Sequence, residues 1–343
     1  MKLGRTSVKG YAPPERGGEG ERNVCWDNLK GILILLVVLG HCLYGLSGKG
    51  VDQALLKSIY FFHMPAFIFV SGYWGRKDSS SSAGSLIQLG LAYLLCIFPF
   101  VLRALIRQEE AYFFTPVYSS WYLAALFIWR LVTPKLAGSR KIFLLAVPLS
   151  LLASYWSDFG GAVVLALGRA LAFWPFYLAG YFFSEEMFRC HFRNLPLFSR
   201  VLRGGGSLLL AGGLALLSMR LLGVKMQQLQ LLAYQSRSLK EMVLRLVIFE
   251  VALLMIGALL WLVPEGPLPF LTRIGRHSLS IYLLHRIFTV WFYENAWVAG
   301  LKGIYGVAAS LGATLLLTAL LGSRRVAEPL NRLLKGAAHV LTL

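Results

Sequence analysis

The sequence predicts an all-α fold: a polytopic bundle of about ten membrane-spanning helices with both termini on the cytoplasmic side. Three observations carry this reading. The 343 residues are 57% hydrophobic and 15% charged, with a mean hydropathy of +0.63. A water-soluble domain of this length needs far more polar surface. Apolar runs that approach the roughly 20 residues needed to cross hydrocarbon as a helix recur along the whole chain. The basic residues fall in short clusters between those runs, which assigns the formal charge of +18 to loops at an anionic membrane face. Nucleic-acid binding is not expected.

Residues 1–28 are polar, charged and contain Gly and Pro, as a flexible cytoplasmic tail would. The membrane domain is expected over 29–322 and a second cytoplasmic tail over 323–343. No small-residue cleavage pattern closes the first apolar run and others follow it, so it reads as a first helix rather than a signal peptide. Candidate spans centre on Leu35, Phe67, Leu95, Leu126, Pro148, Phe173, Ala215, Leu254, Tyr282 and Leu315. The fourth and fifth are short or interrupted by proline. Separators carry loop signals, such as KDSSSSAG from Lys77 and VPEGPLP from Val263. With the N-terminus inside, the cytoplasmic segments hold most of the Lys and Arg, and an even number of spans returns the C-terminus to the same side. The four cysteines show no metal-ligand spacing and read as small buried hydrophobes; no metal is expected.

An ionisable side chain in hydrocarbon costs about 2.5 kcal/mol or more, so each needs a partner, a cavity or a function. In the first span, WDNLKGILILLVVLGH, Asp27, Lys30 and His41 share one narrow stripe at about 100° per residue. His41 lies roughly 18 Å above Leu29, past the midplane, with Asp27 and Lys30 at the cytoplasmic mouth. His63 in the second span reaches a similar depth. Pro65 just after it should bend that helix and free a carbonyl. His285 and Arg286 in the ninth span, Arg169 in the sixth and Glu250 in the eighth also fall inside apolar runs. Matched depth on several helices implies one internal site. A histidine simply hydrogen-bonded between helices is the plainer alternative for His41. Trp74, Trp121, Tyr122, Trp156, Trp261 and Trp291 read as interfacial belt residues rather than sugar-stacking platforms. Arg103 and Arg107, one helical turn apart near the outer face, read as snorkelling to headgroups, with binding of an acidic acceptor as the alternative.

The run DNLKGILILLVVLGH, followed by FFHMPAFIFVSGYW, SSWYLAAL, RALAFWPFYLAGYFF and IGRHSLSIYLLH, resembles the acyltransferase-3 family, nearest its fucose 4-O-acetylase-like branch. The blocks cover nearly the whole membrane portion in the expected order. The resemblance implies a ten-helix protein of the bacterial cytoplasmic membrane. Such enzymes move an acyl group, usually acetyl from cytoplasmic acetyl-CoA, onto a hydroxyl of a glycan that is typically lipid-linked or on the outer side. The family's essential first-helix histidine corresponds to His41, and the basic residue eleven positions earlier to Lys30. His63, Arg169 and His285 match polar positions of the branch. Many members carry an RxxR-like cluster where the third helix begins. This chain has no basic residue between Lys77 and Arg103. Donor binding then falls to other groups, with Lys30, Arg76, Lys77 and Arg273 as candidates.

Acyl transfer from a thioester to an alcohol needs a base for the hydroxyl proton and donors for the developing oxyanion. A desolvated imidazole stays neutral near pH 7 and accepts such a proton. His41 is the expected base, with His63 or His285 orienting it or bonding the oxyanion, and Arg169 a second candidate for oxyanion or substrate. Their rings are expected to line one internal cavity open to the cytoplasm. Two rival readings use the same residues: a transporter or flippase for a glycan or small polar substrate, and a haem protein with histidine axial ligands.

Overall fold

The computed structural model describes residues 23–46, 50–76, 82–108, 119–153, 166–230, 239–294, 298 and 300–342. Among them every regular element is helical. Apart from a 3-10 turn at Arg140–Ile142 and a π-helical turn at Arg189–Arg193, these are in chain order α1 (Val24–Leu46), α2 (Val51–Tyr60), α3 (His63–Arg76), α4 (Ala83–Ile106), α5 (Trp121–Leu136) and α6 (Phe143–Leu152). Then come α7 (Leu167–Tyr181), α8 (Glu185–Phe188), α9 (Leu197–Leu221), α10 (Met226–Leu229) and α11 (Leu239–Leu262). The series ends with α12 (Pro269–Arg276), α13 (Ser278–Glu294), α14 (Gly303–Leu321) and α15 (Arg324–Val340). Six stretches among the described residues are long and apolar enough to cross a membrane: Val24–Gly45, Val51–Arg76, Ala83–Ile106, Leu197–Leu221, Leu239–Leu262 and Gly303–Leu321. Each of the ten expected centres lies in a helix, but α5, α6, α7 and α13 are shorter. Prolines interrupt three of these four, at Pro134, Pro148 and Pro175.

The bundle is organised around α1, which packs on α2, α3, α12, α13 and α14. Its residues Leu33, Ile34, Val37, Val38, Cys42 and Leu43 are wholly enclosed. The helix starts at Val24, so Val24 to Asn28, expected in the tail, form its first turn. Asp27 and Asn28 are buried there because both have fixed partners. Asn28 Nδ2 donates to the carbonyls of Pro264 and Gly266, at 2.9 and 2.8 Å, and its Oδ1 accepts from Thr272 Oγ1 at 2.6 Å. Asp27 takes Lys30 Nζ at 2.7 Å and Arg276 Nε at 3.2 Å. These bonds tie the VPEGPLP loop and α12 to the start of α1.

Pro65 acts as its position predicts. Its ring excludes the carbonyl of residue 61 from helical bonding, and the helix breaks into α2 and α3 across Phe61 and Phe62. The break lets α3 begin at His63. Two crossings then bring backbones together through glycine. A Cβ on Gly72 would collide with the Tyr177 carbonyl, and one on Gly180 with the Phe69 carbonyl, so α3 and α7 touch main chain to main chain. Gly31 against Leu271 and Gly275 against Asp27 do the same for α1 and α12. Small residues at helix contacts allow this closeness in a membrane.

The outer surface is apolar, as a lipid-facing surface must be. Leu144, Leu209 and Leu316 are among the large exposed side chains. α9 and α11 pair along their lengths at the edge of the bundle. Glu250, expected at the internal site, is exposed on α11. The buried residues of that helix include Leu244, Ile248 and Ala252, and Glu250 falls on the other side of the turn. Residues 324–340, expected as tail, form the helix α15, which lies against α4 with Ala327, Leu334 and Ala338 buried.

Candidate active site

Among the described residues, two cavities toward opposite ends of α1 hold several of the expected site residues. The near side is the end at which α1 begins, and the far side the end at which it finishes. The near cavity, of about 650 Å³, is lined by Lys30, Ser71, Trp74, Gln88 and Arg130 among others. The far cavity, of about 350 Å³, holds His41, His63, Arg169 and Arg286, with Tyr60 and Trp121 in its wall. Tyr282 borders both. Its ring lies 6.0 Å from Phe67 and 5.0 Å from Tyr122, centroid to centroid, so three aromatic rings form a partition. The hydroxyls of the partition are spoken for. Tyr282 donates to the Ser119 carbonyl at 2.6 Å, and Tyr122 shares a 2.7 Å bond with Ser71 Oγ.

The three imidazoles do not share one cavity as expected. His41 and His63 line the far one. His285 is wholly buried behind it, its ring 5.3 Å from that of His41. Its Nδ1 turns back onto its own helix, 2.8 Å from the Tyr282 carbonyl and 3.0 Å from that of Ile281. Carbonyls only accept, so that nitrogen carries the proton. His285 Nε2 is left buried without a hydrogen-bond partner among the described residues. His63 follows the same rule: Nδ1 donates to the Ile59 carbonyl at 2.8 Å, and Nε2 keeps its lone pair. His41 differs. Its Nδ1 lies 3.4 Å from Arg286 Nη1, a long contact in which the guanidinium can only donate. In the neutral ring the proton then sits on Nε2.

Arg169 stands in the first turn of α7, its guanidinium 5.2 Å above the centroid of the Trp121 ring. Trp121 is therefore not a belt residue, and neither is Tyr122, which is buried in the wall of the near cavity. Trp121 is buried, stacked on Phe173 at 5.1 Å, and forms a wall of the far cavity. Trp74 lines the near cavity, with Lys30 Nζ 5.4 Å from its ring centroid. Of the expected donor-binding residues that are described, Lys30 lines the near cavity. Arg76 is exposed at the end of α3, and Arg273 is exposed on α12, 5.7 Å over the Phe270 ring. Lys77 lies outside the described residues.

Arg130 was not among the expected site residues. It follows Tyr122, Leu123 and Leu126 on one face of α5, and all four line the near cavity. Arg130 Nη1 donates to Ser85 Oγ at 3.0 Å, bridging α5 to the start of α4. The i, i+1, i+4, i+8 spacing was legible, but its position beside a basic loop made it resemble an orientation signal. Arg286 was placed at the right depth by sequence, yet its approach to His41 depends on how α13 crosses α1.

Residues 23–323 match the acyltransferase-3 family, described as "Acyltransferase domain". The chain belongs to that family. Among curated proteins, the chain is similar to nodulation protein NolL of Mesorhizobium japonicum, 30% identical over 190 residues, or 50% of each chain. Nodulation protein NolL of Sinorhizobium fredii is 47% identical over 75 residues, 19% of this chain and 20% of that one. The chain thus spans half or less of the curated relatives it matches. No solved structure matches it. Its apolar helices and its family indicate a membrane protein. No group of His, Cys, Asp or Glu among the described residues is arranged to hold a metal ion.

Proposed function

We propose that this acyltransferase-3 protein moves an acetyl or short acyl group from cytoplasmic acyl-CoA to a hydroxyl of a cell-surface or lipid-linked glycan. It would do so in a bacterial cytoplasmic membrane, as ten spans with both termini inside. The observation that carries the reading is the pair of cavities meeting at Tyr282. Lys30 and Arg130 give the near cavity the charge that a CoA phosphate needs for charge-assisted hydrogen bonds. The far cavity offers imidazoles, guanidinia and aromatic walls to a sugar. A donor held on the near side presents its thioester at the partition, and the acceptor hydroxyl waits beyond it.

In the transfer the acceptor oxygen attacks the thioester carbon and gives its proton to an imidazole. The carbonyl oxygen becomes negative, and Arg286 or Arg169 stabilises it. The C–S bond then breaks, the carbonyl re-forms, and the departing thiolate takes the proton back from the imidazole. His41 is the base in this scheme, using Nδ1 once the long Arg286 contact yields. A specific observation favours a second assignment: His63 already has an unprotonated Nε2, on a ring that lines the cavity. His63 would then be the base, with His41 Nε2–H and Arg286 facing the oxyanion.

The test is acyl transfer by purified protein in detergent with radiolabelled acetyl-CoA and a panel of glycan acceptors. Wild type is expected to label an acceptor hydroxyl. Both His41→Ala and His63→Ala are expected to lose about 10²–10⁴-fold in kcat, with the base losing more. Wild-type rates in His41→Ala would remove that residue from the chemistry. Two cavities with a thin partition also suit a transporter. A transporter labels nothing in detergent, where no compartments exist.

A further inference from the structure

Arg169 has no counter-ion among the described residues. No Asp or Glu among them lines the far cavity, where its guanidinium lies over the face of Trp121. Arg286 adds a second guanidinium to the same cavity. A guanidinium remains charged, and an uncompensated charge at membrane depth is a standing cost that points to a function. The location adds to the bias. Arg169 sits in the first turn of α7, where backbone N–H groups lack helical acceptors and the helix dipole is positive. No side chain caps that end, since Ala166 precedes it with φ of 55°. The planar fork of arginine suits a two-oxygen anion, and Trp121 beneath it fixes the plane.

We propose that the far cavity binds an anionic acceptor, whose phosphate or carboxylate is held by Arg169. This rests on reading the far cavity as the acceptor site. A phosphate would belong to the lipid carrier of a sugar, and a carboxylate to an acidic sugar itself. Either anion supplies the charge that the protein leaves unmatched. It also orients the acceptor so that a hydroxyl, rather than the charged group, meets His41 and His63. Arg169 is thereby a specificity residue, occupied in the resting complex and not only when an oxyanion forms.

The experiment uses the full chain in nanodiscs of phosphatidylcholine, without any acyl donor. The probes are inorganic phosphate, a short-chain prenyl monophosphate and glucuronate, and the readout is the melting temperature across each titration. At least one probe is expected to give a saturable rise, with affinity weakened roughly tenfold or more in Arg169→Gln. Arg103→Gln, whose arginine pairs with Glu294 at 2.9 Å, should titrate like wild type. Response to both phosphates assigns the site to a phosphorylated carrier, and response to glucuronate alone to an acidic sugar. No saturable response from wild type overturns the proposal, as does equal affinity in Arg169→Gln. If Arg169→Gln does not fold, Arg169→Lys keeps the charge without the fork, and undiminished affinity there overturns it too. Because binding is read without transfer, anion binding by a chain that acylates nothing sinks the transferase reading alone. Acylation without anion binding sinks this proposal alone.

Discussion

Asp27 shows how one buried carboxylate at the head of α1 serves both structure and site. It is only 1% exposed and receives two cations, Lys30 and Arg276. Lys30 is thereby held where it borders the near cavity. Removing the charge leaves a partly buried ammonium without its partner. Asp27→Asn is expected to lower stability by about 1–3 kcal/mol and to raise the KM for the donor while kcat changes less. Thermal unfolding and steady-state kinetics check both. Arg130 has a simpler expectation. Arg130→Gln should raise the donor KM roughly tenfold, the loss of one charge-assisted bond, and leave the acceptor KM unchanged. A change confined to the acceptor would dissociate the near cavity from the donor. The histidines are read by tautomer: backbone carbonyls fix the proton of His63 and His285 on Nδ1, whereas His41 is set by a guanidinium on another helix.

At the scale of elements, the site depends on backbone contact. Gly72 and Gly180 let α3 and α7 meet, which sets His63 and Arg169 into one wall. Gly180→Ala is expected to cost about 1–3 kcal/mol through overpacking and to lower activity by shifting α7 relative to α3. Gly212→Ala, on the open side of α9 where a Cβ meets nothing, is the control and should leave melting temperature and activity near wild type. Equal effects at the two positions would detach the crossing from the site. The break between α2 and α3 belongs here as well. Without Pro65 a continuous helix would let residue 65 bond the carbonyl of residue 61, and the direction in which His63 points would change.

For the whole molecule, the near and far sides are to be assigned to cytoplasm and exterior. The cysteines allow it without disturbing the fold. Cys25, Cys42 and Cys96 are buried, and Cys190 is exposed, on the near side between α8 and α9. A membrane-impermeant maleimide added to intact cells should leave Cys190 unlabelled, and permeabilisation should expose it. Labelling of intact cells would reverse the orientation and put the cationic cavity on the wrong face for a cytoplasmic donor. The amphipathic α15 belongs to the same face, since it begins within the basic stretch after α14 and packs on α4.

The linear sequence determined the class of molecule: hydropathy and run length are sums over neighbours in the chain, and those are independent of packing. It also determined which intramembrane residues were costly, because a histidine or arginine in hydrocarbon is conspicuous wherever its helix points. Asp27, Lys30, His41, His63, Arg169, His285 and Arg286 were all visible in that way. Only the tertiary structure decided which of them meet. It sent His285 behind the cavity, turned Glu250 outward, drew Trp121 inward beneath Arg169 and brought Arg130 to the near cavity. The physical reason is that a helix fixes the depth of a side chain by its 1.5 Å rise, whereas its direction is fixed by the rotation of one helix against another. That rotation is set here by backbone contacts at glycine between α1 and α12 and between α3 and α7, pairs distant in the chain.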